Sequence, residues 1–132
     1  MSTPSAAPGI GAIQAVGVRV IDQDRALRFY TDTLGFDIDI DIGMDGPLPQ
    51  LGGRWITVAP PGTSVAVALL AASDRLPVGV DTGIRFHADD ADATHPALRT
   101  RGVEVGELLR WPGVPAMFTA NDPDGNRFEI ME

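Results

Sequence analysis

Residues 121–132 read Asn-Asp-Pro-Asp-Gly-Asn-Arg-Phe-Glu-Ile-Met-Glu, a tight turn followed by a short strand. Pro123 fixes φ at the first corner of the turn, and Gly125 supplies the positive φ that closes it. Asp122 and Asn126 carry side chains that hydrogen-bond nearby backbone amides in turns of this kind. The chain therefore reverses direction here and must continue as a strand.

In that strand, successive side chains point to opposite faces of the sheet. Phe128 and Ile130 fall on one face, whereas Arg127, Glu129 and Met131 fall on the other. Glu129 therefore points away from the apolar side of its own sheet. The spacing alone leaves two interpretations open, a carboxylate in water and a carboxylate in a ligand cavity.

The composition describes one acidic domain without cysteine. A chain of 132 residues with 44% hydrophobic residues is long enough to form one core. The absence of cysteine excludes a disulfide framework, a thiolate nucleophile and a cysteine-type zinc site. A net charge of -8 argues against a nucleic-acid partner, because no basic stripe is present to contact phosphates.

The sequence also bears on location and source. No apolar run is long enough to cross a bilayer, and residues 1–12 form a small, Pro-rich segment without the features of a signal peptide. We expect that segment to be flexible and the protein to be cytoplasmic, without a membrane partner. All ten cationic side chains are arginine, which is typical of a GC-rich bacterial coding sequence.

The order β-α-β-β-β occurs twice along the chain. Asp22 and Asp90 are suited to cap the two helices, and Asp90 follows Asp22 by 68 residues, about half the chain length. This internal repeat predicts an α+β fold of two tandem βαβββ modules, residues 13–72 and 81–132, joined by a linker at residues 73–80. The predicted strands are 15–20, 36–42, 55–59, 65–71, 81–88, 103–109, 116–121 and 127–131; the predicted helices are 22–34 and 90–101.

Two further features of the sequence concern an acidic strand and two loops. Residues 36–42 alternate strictly between apolar and acidic side chains, which predicts one buried face and one wet face. The segments 43–53 and 109–115 are rich in Gly and Pro and are interpreted as loops that could gate the mouth of a cleft.

Three motifs carry a family resemblance. RALRFYTDTLGFDID at residues 25–39, DDADATHPALRTRGVEV at 89–105 and DPDGNRFEIME at 122–132 resemble sequences of the vicinal oxygen chelate superfamily. This superfamily includes glyoxalase I, the bleomycin-resistance proteins and the extradiol dioxygenases. The resemblance implies two βαβββ modules whose mixed sheets curl around a cleft, often in a homodimer. Because the superfamily shares one scaffold across several chemistries, the motifs do not name an activity.

The resemblance also implies where a metal ion would be bound. Metal-using members place His or Gln on the first strand of each module and Glu or His on the last. Ala15 and Gly83 occupy the first-strand positions here, and Glu129 is the retained carboxylate. His87 lies four residues beyond Gly83, roughly 13 Å along a strand. The sequence therefore predicts that the metal has been lost and indicates no cofactor, while a divalent metal at a rearranged site stays open as an alternative.

A cleft without metal would retain polar groups on its walls. Arg19 and Arg85 are candidate partners for a carboxylate or phenolate, and His87 with Glu129 is a candidate acid–base pair. A purely structural alternative is a salt bridge from Glu129 to Arg85 or Arg19 that satisfies buried charges. The candidate apolar walls are Trp55, Trp111 and Met117.

Three functional hypotheses follow. The first is a glyoxalase- or bleomycin-resistance-like protein that binds a small organic molecule without metal. The second is an enzyme, a lyase, isomerase or dioxygenase, that uses His87 and Glu129 or a rearranged metal site. The third is an interaction module whose cleft is filled by its own side chains.

Overall fold

The computed structural model describes residues 8–43 and 54–132. Within these ranges the first half of the chain contains β1 (Ala15–Val20), α1 (Gln23–Arg28), a π-helical turn (Phe29–Thr33), β2 (Asp37–Ile42), β3 (Trp55–Ala59) and β4 (Ala66–Ala71). The second half contains β5 (Asp81–His87), α2 (Ala91–Thr100), β6 (Glu104–Val105), β7 (Leu109–Trp111), β8 (Val114–Asn121) and β9 (Arg127–Met131).

The strands form two mixed sheets, one in each half of the chain. The first has the order β1-β4-β3-β2, and the second has the order β5-β9-β8-β6 with β7 paired to β8. In both sheets the first strand pairs in parallel with the last, β1 with β4 and β5 with β9, and the other pairs are antiparallel. This arrangement confirms the predicted α+β fold with two related mixed sheets.

The ends of the helices follow from their capping residues. The carboxylate of Asp22 accepts a hydrogen bond from the Arg25 amide, and that of Asp90 accepts one from the Ala93 amide. These bonds satisfy amides that the first helical turn leaves without an intrahelical partner. After the π-helical turn, Gly35 adopts φ 79° and directs the chain into β2.

The two halves share one continuous apolar core. Leu34 and Ile84 pack against the buried clusters of both sheets, as do the rings of Phe29 and Phe86. Phe86 also makes edge-to-face contacts with Phe36 and Phe128, at centroid distances of 5.3 and 5.2 Å. The aromatic contacts therefore cross the boundary between the halves.

The turn between β8 and β9 joins the halves through polar contacts as well. As predicted, Gly125 has a positive φ of 79°, and the Gly125 amide donates to the Asp122 carbonyl. The Asn126 side chain donates to the Arg19 carbonyl over 2.8 Å, and the Tyr30 hydroxyl donates to the Asp122 carboxylate over 3.1 Å. The turn thus binds β1 and the segment after α1, which lie about ninety residues or more before it.

The prediction that residues 36–42 have one buried and one wet face is wrong. Ile38 pairs with Val58, but Ile40 pairs with Thr57, so a bulge lies between them and reverses the faces. Paired residues share a face, and Ile40 and Ile42 therefore lie on the open side of the sheet, away from the helix. All six residues of β2 are exposed.

The second half differs from prediction between residues 103 and 115. The expected strand 103–109 is reduced to the two residues of β6, because the chain leaves β8 after Val105 and pairs with it again at Leu109. The expected gating loop at 109–115 contains β7 and the start of β8 instead. Most of the other predicted gating loop, residues 44–53, and most of the predicted flexible segment, residues 1–7, lie outside the described residues.

Candidate functional site

A cleft of about 650 Å³ lies along the seam between the two sheets. Its walls are β1 and β4 from the first sheet and β5 from the second, and the turn from Pro60 to Thr63 closes one side. We call it the seam cleft; it is lined by Ile13, Val16, Gly17, Pro60, Pro61, Thr63, Val65, Val67 and residues 82–87. Its volume lies within the usual range for small-molecule sites, roughly 300 to 1,000 Å³.

Arg85 is the permanent charge in this lining. The side chain is 57% exposed, and its Nε lies 3.2 Å from the Glu129 carboxylate. Nη1 donates to the Gly83 carbonyl over 3.4 Å. The remaining Nη2 makes no hydrogen bond within the described residues, so the guanidinium retains N–H donors for a ligand. The Arg85–Glu129 contact is the salt bridge that the sequence offered as a structural alternative, but it is partly exposed.

His87 does not pair with Glu129. Its Nε2 lies 2.9 Å from a carboxylate oxygen of the exposed Asp89. In the parallel pairing of β5 with β9, Arg85 stands opposite Glu129 and His87 stands opposite Met131. The proposed acid–base pair is therefore not formed in this structure, since each member binds a different partner.

The two halves differ at their equivalent positions on the open sheet faces. In the second sheet the paired residues are Arg85 and Glu129. Gly17 precedes Arg85 by the repeat offset of 68 residues, and Gly17 is paired with Ala68. One half thus presents a charged pair where the other presents two small residues.

These residues do not fit a metal centre of the superfamily type. Ala15 and Gly83 provide no ligand atom, and the Glu129 carboxylate already binds Arg85. Across residues 8–43 and 54–132, no three His, Cys, Asp or Glu side chains gather closely enough to hold a metal ion. Transition-metal sites require several protein ligands in a fixed geometry.

The structure brings only some of the predicted ligand-binding residues to the seam cleft. Arg85 and His87 line it, as do Gly17 and Gly83, and Glu129 reaches it through Arg85. Arg19 instead donates to the Ala71 carbonyl over 3.2 Å. Trp55 lines a separate, smaller hollow of about 340 Å³ on the open face of the first sheet.

The other two predicted apolar walls lie on the second sheet. Met117 is paired with Met131 and Leu109 in the middle of that sheet. Trp111 is 55% exposed at the end of β7. Neither side chain lines the seam cleft.

Sequence reasoning missed the role of one turn at the cleft. The Pro60-Pro61-Gly62 segment predicts a turn between two strands, but nothing in the sequence places that turn beside the cleft, where Pro60, Pro61 and Thr63 lie. Val16 and Val67 pack in the core of the first sheet and also face the cleft. This follows from the position of β1 at the edge of the sheet, beside the seam.

The sequence profile of the Glyoxalase/Bleomycin resistance protein/Dioxygenase superfamily matches residues 12–130. The chain belongs to this superfamily. The match confirms the resemblance carried by the three motifs, since it spans both sheets and both helices.

A relative and several solved structures resemble nearly the whole chain. The uncharacterized protein YetH of Bacillus subtilis (strain 168) is 34% identical over 93% of this chain and 99% of its own length. A superfamily member from Sphaerobacter thermophilus DSM 20745 has a TM-score of 0.83 at 33% identity, covering 93% of this chain and 98% of that one. TnmS3, an antibiotic binding protein from Streptomyces sp. CB03234, has a TM-score of 0.79 at 33% identity, covering 93% and 96%.

None of the helices in residues 8–43 and 54–132 combines the length and the hydrophobicity needed to traverse a lipid bilayer.

Proposed function

We propose that this superfamily member binds a small organic molecule in the seam cleft. The observation that carries the proposal is a cleft of about 650 Å³ with a mainly apolar lining and a few converging polar groups. The similarity to an antibiotic binding protein over 93% of the chain supports the same function class.

The chemistry of the lining favours a ligand with an apolar body and one anionic or strongly accepting group. Val16, Val67 and Ile84 provide apolar contact surface. Arg85 provides N–H donors in a planar fork that suits a carboxylate or a phenolate. Glu129 holds Arg85 through Nε, and this contact restricts the guanidinium without occupying all its donors.

We propose that this binding does not require metal. The support is the donor set, since Glu129 is bound to Arg85 and the first-strand positions hold Ala15 and Gly83. Dialysis against EDTA is therefore expected to leave both the melting temperature and the ligand affinity unchanged. Elemental analysis of the untreated protein measures how much metal it contains before the EDTA treatment. Near-stoichiometric metal, together with loss of binding after EDTA, would contradict the proposal.

Blocking the mouth of the seam cleft is expected to weaken ligand binding about tenfold or more. Thr63→Trp places an indole at an exposed position of the turn that lines the cleft, while the Thr63 amide keeps its bond to the Pro60 carbonyl. A panel that contains bleomycin and aromatic carboxylates is first screened by thermal shift, because a ligand that binds only the folded state raises the melting temperature. Affinities of the compounds that bind are then measured by calorimetry.

The matched control is Thr100→Trp at the exposed end of α2, which should bind as the wild type does. Two results would contradict the proposal. One is that no compound of the panel stabilises the wild-type protein; the other is that both tryptophan variants lose affinity equally.

The homodimer implied by the resemblance remains a prediction. It is supported by the open face of the first sheet, where Ile40 and Ile42 are 38% and 49% exposed beside Trp55. Sedimentation equilibrium would decide between a monomer and a dimer.

A further inference from the structure

A second cavity adjoins the seam cleft on the other side of Phe86. Its volume is about 240 Å³. We call it the aromatic chamber; it is lined by Leu34, Phe36, Pro60, Pro61, Phe86, His87, Ala88, Thr94, Leu98, Phe128 and Ile130. Three phenylalanine rings thus surround a small space between the sheets and α2.

The two cavities adjoin and share four lining residues. Pro60 and Pro61 line both, as do Phe86 and His87. Phe86 makes edge-to-face contacts with Phe36 and Phe128, which line only the chamber. The N–H donors of Arg85 lie in the cleft and not in the chamber. The cationic donors are therefore at the cleft end, and the rings of Phe36 and Phe128 are at the chamber end, of two adjoining cavities.

The charges of the lining follow the same division. The chain carries 18 Asp and Glu residues, yet no carboxylate lines either cavity in the part of the chain that the structure describes. Arg85 and His87 are the ionisable side chains of the cleft lining, and only His87 reaches the chamber. An anionic group is thus favoured at the cleft end and disfavoured among the three rings, where burial would remove its hydration.

We propose that the ligand is an elongated aryl carboxylate whose aromatic end occupies the aromatic chamber while its carboxylate binds Arg85 in the seam cleft. This inference rests on the proposed function and adds to it the ligand class and a second subsite. The chamber suits one or two fused or linked rings, because an apolar protein cavity of roughly 150 Å³ already accommodates benzene. Edge-to-face contacts with the phenylalanine rings would orient the aromatic end.

The test compares biphenyl-4-carboxylate with benzoate on the full chain. Biphenyl-4-carboxylate is expected to shift backbone amide resonances in both cavities, those of Gly83 and Arg85 in the cleft and those of Ala88 and Phe128 around the chamber. It is expected to bind about tenfold more tightly than benzoate, because its second ring adds buried apolar area.

Filling the chamber separates this inference from the proposed function. Thr94→Phe places a ring at a partly buried chamber position on α2, and Ala88→Leu enlarges a buried chamber residue directly after β5. Both variants are expected to lose the tenfold advantage of biphenyl-4-carboxylate and to retain benzoate binding within about twofold. Thr100→Phe on the exposed part of the same helix is the control, and circular dichroism confirms folding of each variant.

The outcomes are distinguishable. Amide shifts confined to the cleft, or an unchanged biphenyl advantage in both filled variants, would overturn the two-cavity inference and leave the proposed function standing. Absence of any shift with biphenyl-4-carboxylate would also overturn the inference, whereas the proposed function is decided by the wider panel and by Thr63→Trp.

Discussion

Replacement of Asn126 by alanine is expected to lower the free energy of unfolding by about 3 to 4 kcal/mol. The side chain is fully buried and makes four hydrogen bonds. Its Nδ2 donates to the Arg19 carbonyl at 2.8 Å and to the Asp122 carboxylate at 3.0 Å. Its Oδ1 accepts from the amides of Gly79 and Val80 at 2.9 and 3.3 Å. Truncation would leave several of these buried partners unsatisfied. Urea denaturation followed by circular dichroism measures the change.

Asn121→Ala is the matched control for this prediction. Asn121 precedes the same turn, but within the described residues its side chain makes a single, exposed hydrogen bond, which Nδ2 donates to the Glu104 carboxylate at 3.1 Å. Its replacement is expected to cost no more than about 0.5 kcal/mol. Equal effects of the two variants would show that the turn does not depend on the buried asparagine.

The free energy of unfolding is expected to fall steeply as the pH rises above about 10. The cause is Tyr30, the single tyrosine of the chain. Burial raises the pKa of its phenol well above the usual value, and the charge of Asp122 and the hydrogen bond to that carboxylate raise it further. The folded state therefore retains the phenolic proton at a pH at which the unfolded chain loses it.

The sign and the size of the effect follow from this difference in protonation. Between the unfolded and folded pKa values of Tyr30, the native state binds one proton more than the unfolded state. The stabilisation that Tyr30 contributes is therefore fully present below pH 10 and decreases above it. The slope approaches about 1.4 kcal/mol per pH unit. The chain has no lysine or cysteine whose titration would overlap in this range.

Two measurements check this prediction. Urea denaturation from pH 8 to pH 11.5 is expected to show the decline in the wild type and a flat profile in Tyr30→Phe, which has no phenol. The absorbance of tyrosinate near 295 nm should appear only as the protein unfolds. A native protein whose tyrosine titrates near pH 10 would contradict the assignment of the shift to burial beside Asp122.

Local signals were sufficient to predict the fold class and the turn. Asp22 and Asp90 cap their helices as predicted, because the capping bond joins residues three apart in sequence. Gly125 has the positive φ that the turn required. These features depend on short-range stereochemistry, which a sequence displays directly.

The bulge in β2 could not be predicted in the same way. The alternation of isoleucine and aspartate favours regular pairing, but tertiary contacts decide otherwise. Beyond the bulge, Asp41 lies on the helix side of the sheet and forms an ion pair with Arg54 at 2.8 Å, and Arg54 also binds Asp24 of α1. A bulge that brings an aspartate to this arginine depends on the position of α1, which residues 36–42 do not encode.

The candidate site was only partly predictable for a related reason. Of the side chains that the sequence assigned to a cleft, Arg85 and His87 line the seam cleft, whereas Arg19 and the three apolar candidates do not. The sequence did not indicate that the Pro60–Pro61 turn closes this cleft or that a chamber adjoins it, because both depend on how the two sheets approach each other. The absence of the expected His87–Glu129 pair likewise depends on strand register, which places His87 opposite Met131 and Arg85 opposite Glu129.

The contacts of the turn after β8 also bear on how the chain folds. Tyr30 and Arg19 form hydrogen bonds with Asp122 and Asn126, which lie 92 and 107 residues later in the sequence. Contacts between residues so far apart in sequence slow folding, because the chain loses the conformational entropy of a long loop before the contacts stabilise the native state. The first half alone would expose its shared apolar side chains and leave the Tyr30 hydroxyl without Asp122. Although the sequence repeats, its halves are thus not autonomous, and the protein should unfold in a single cooperative transition.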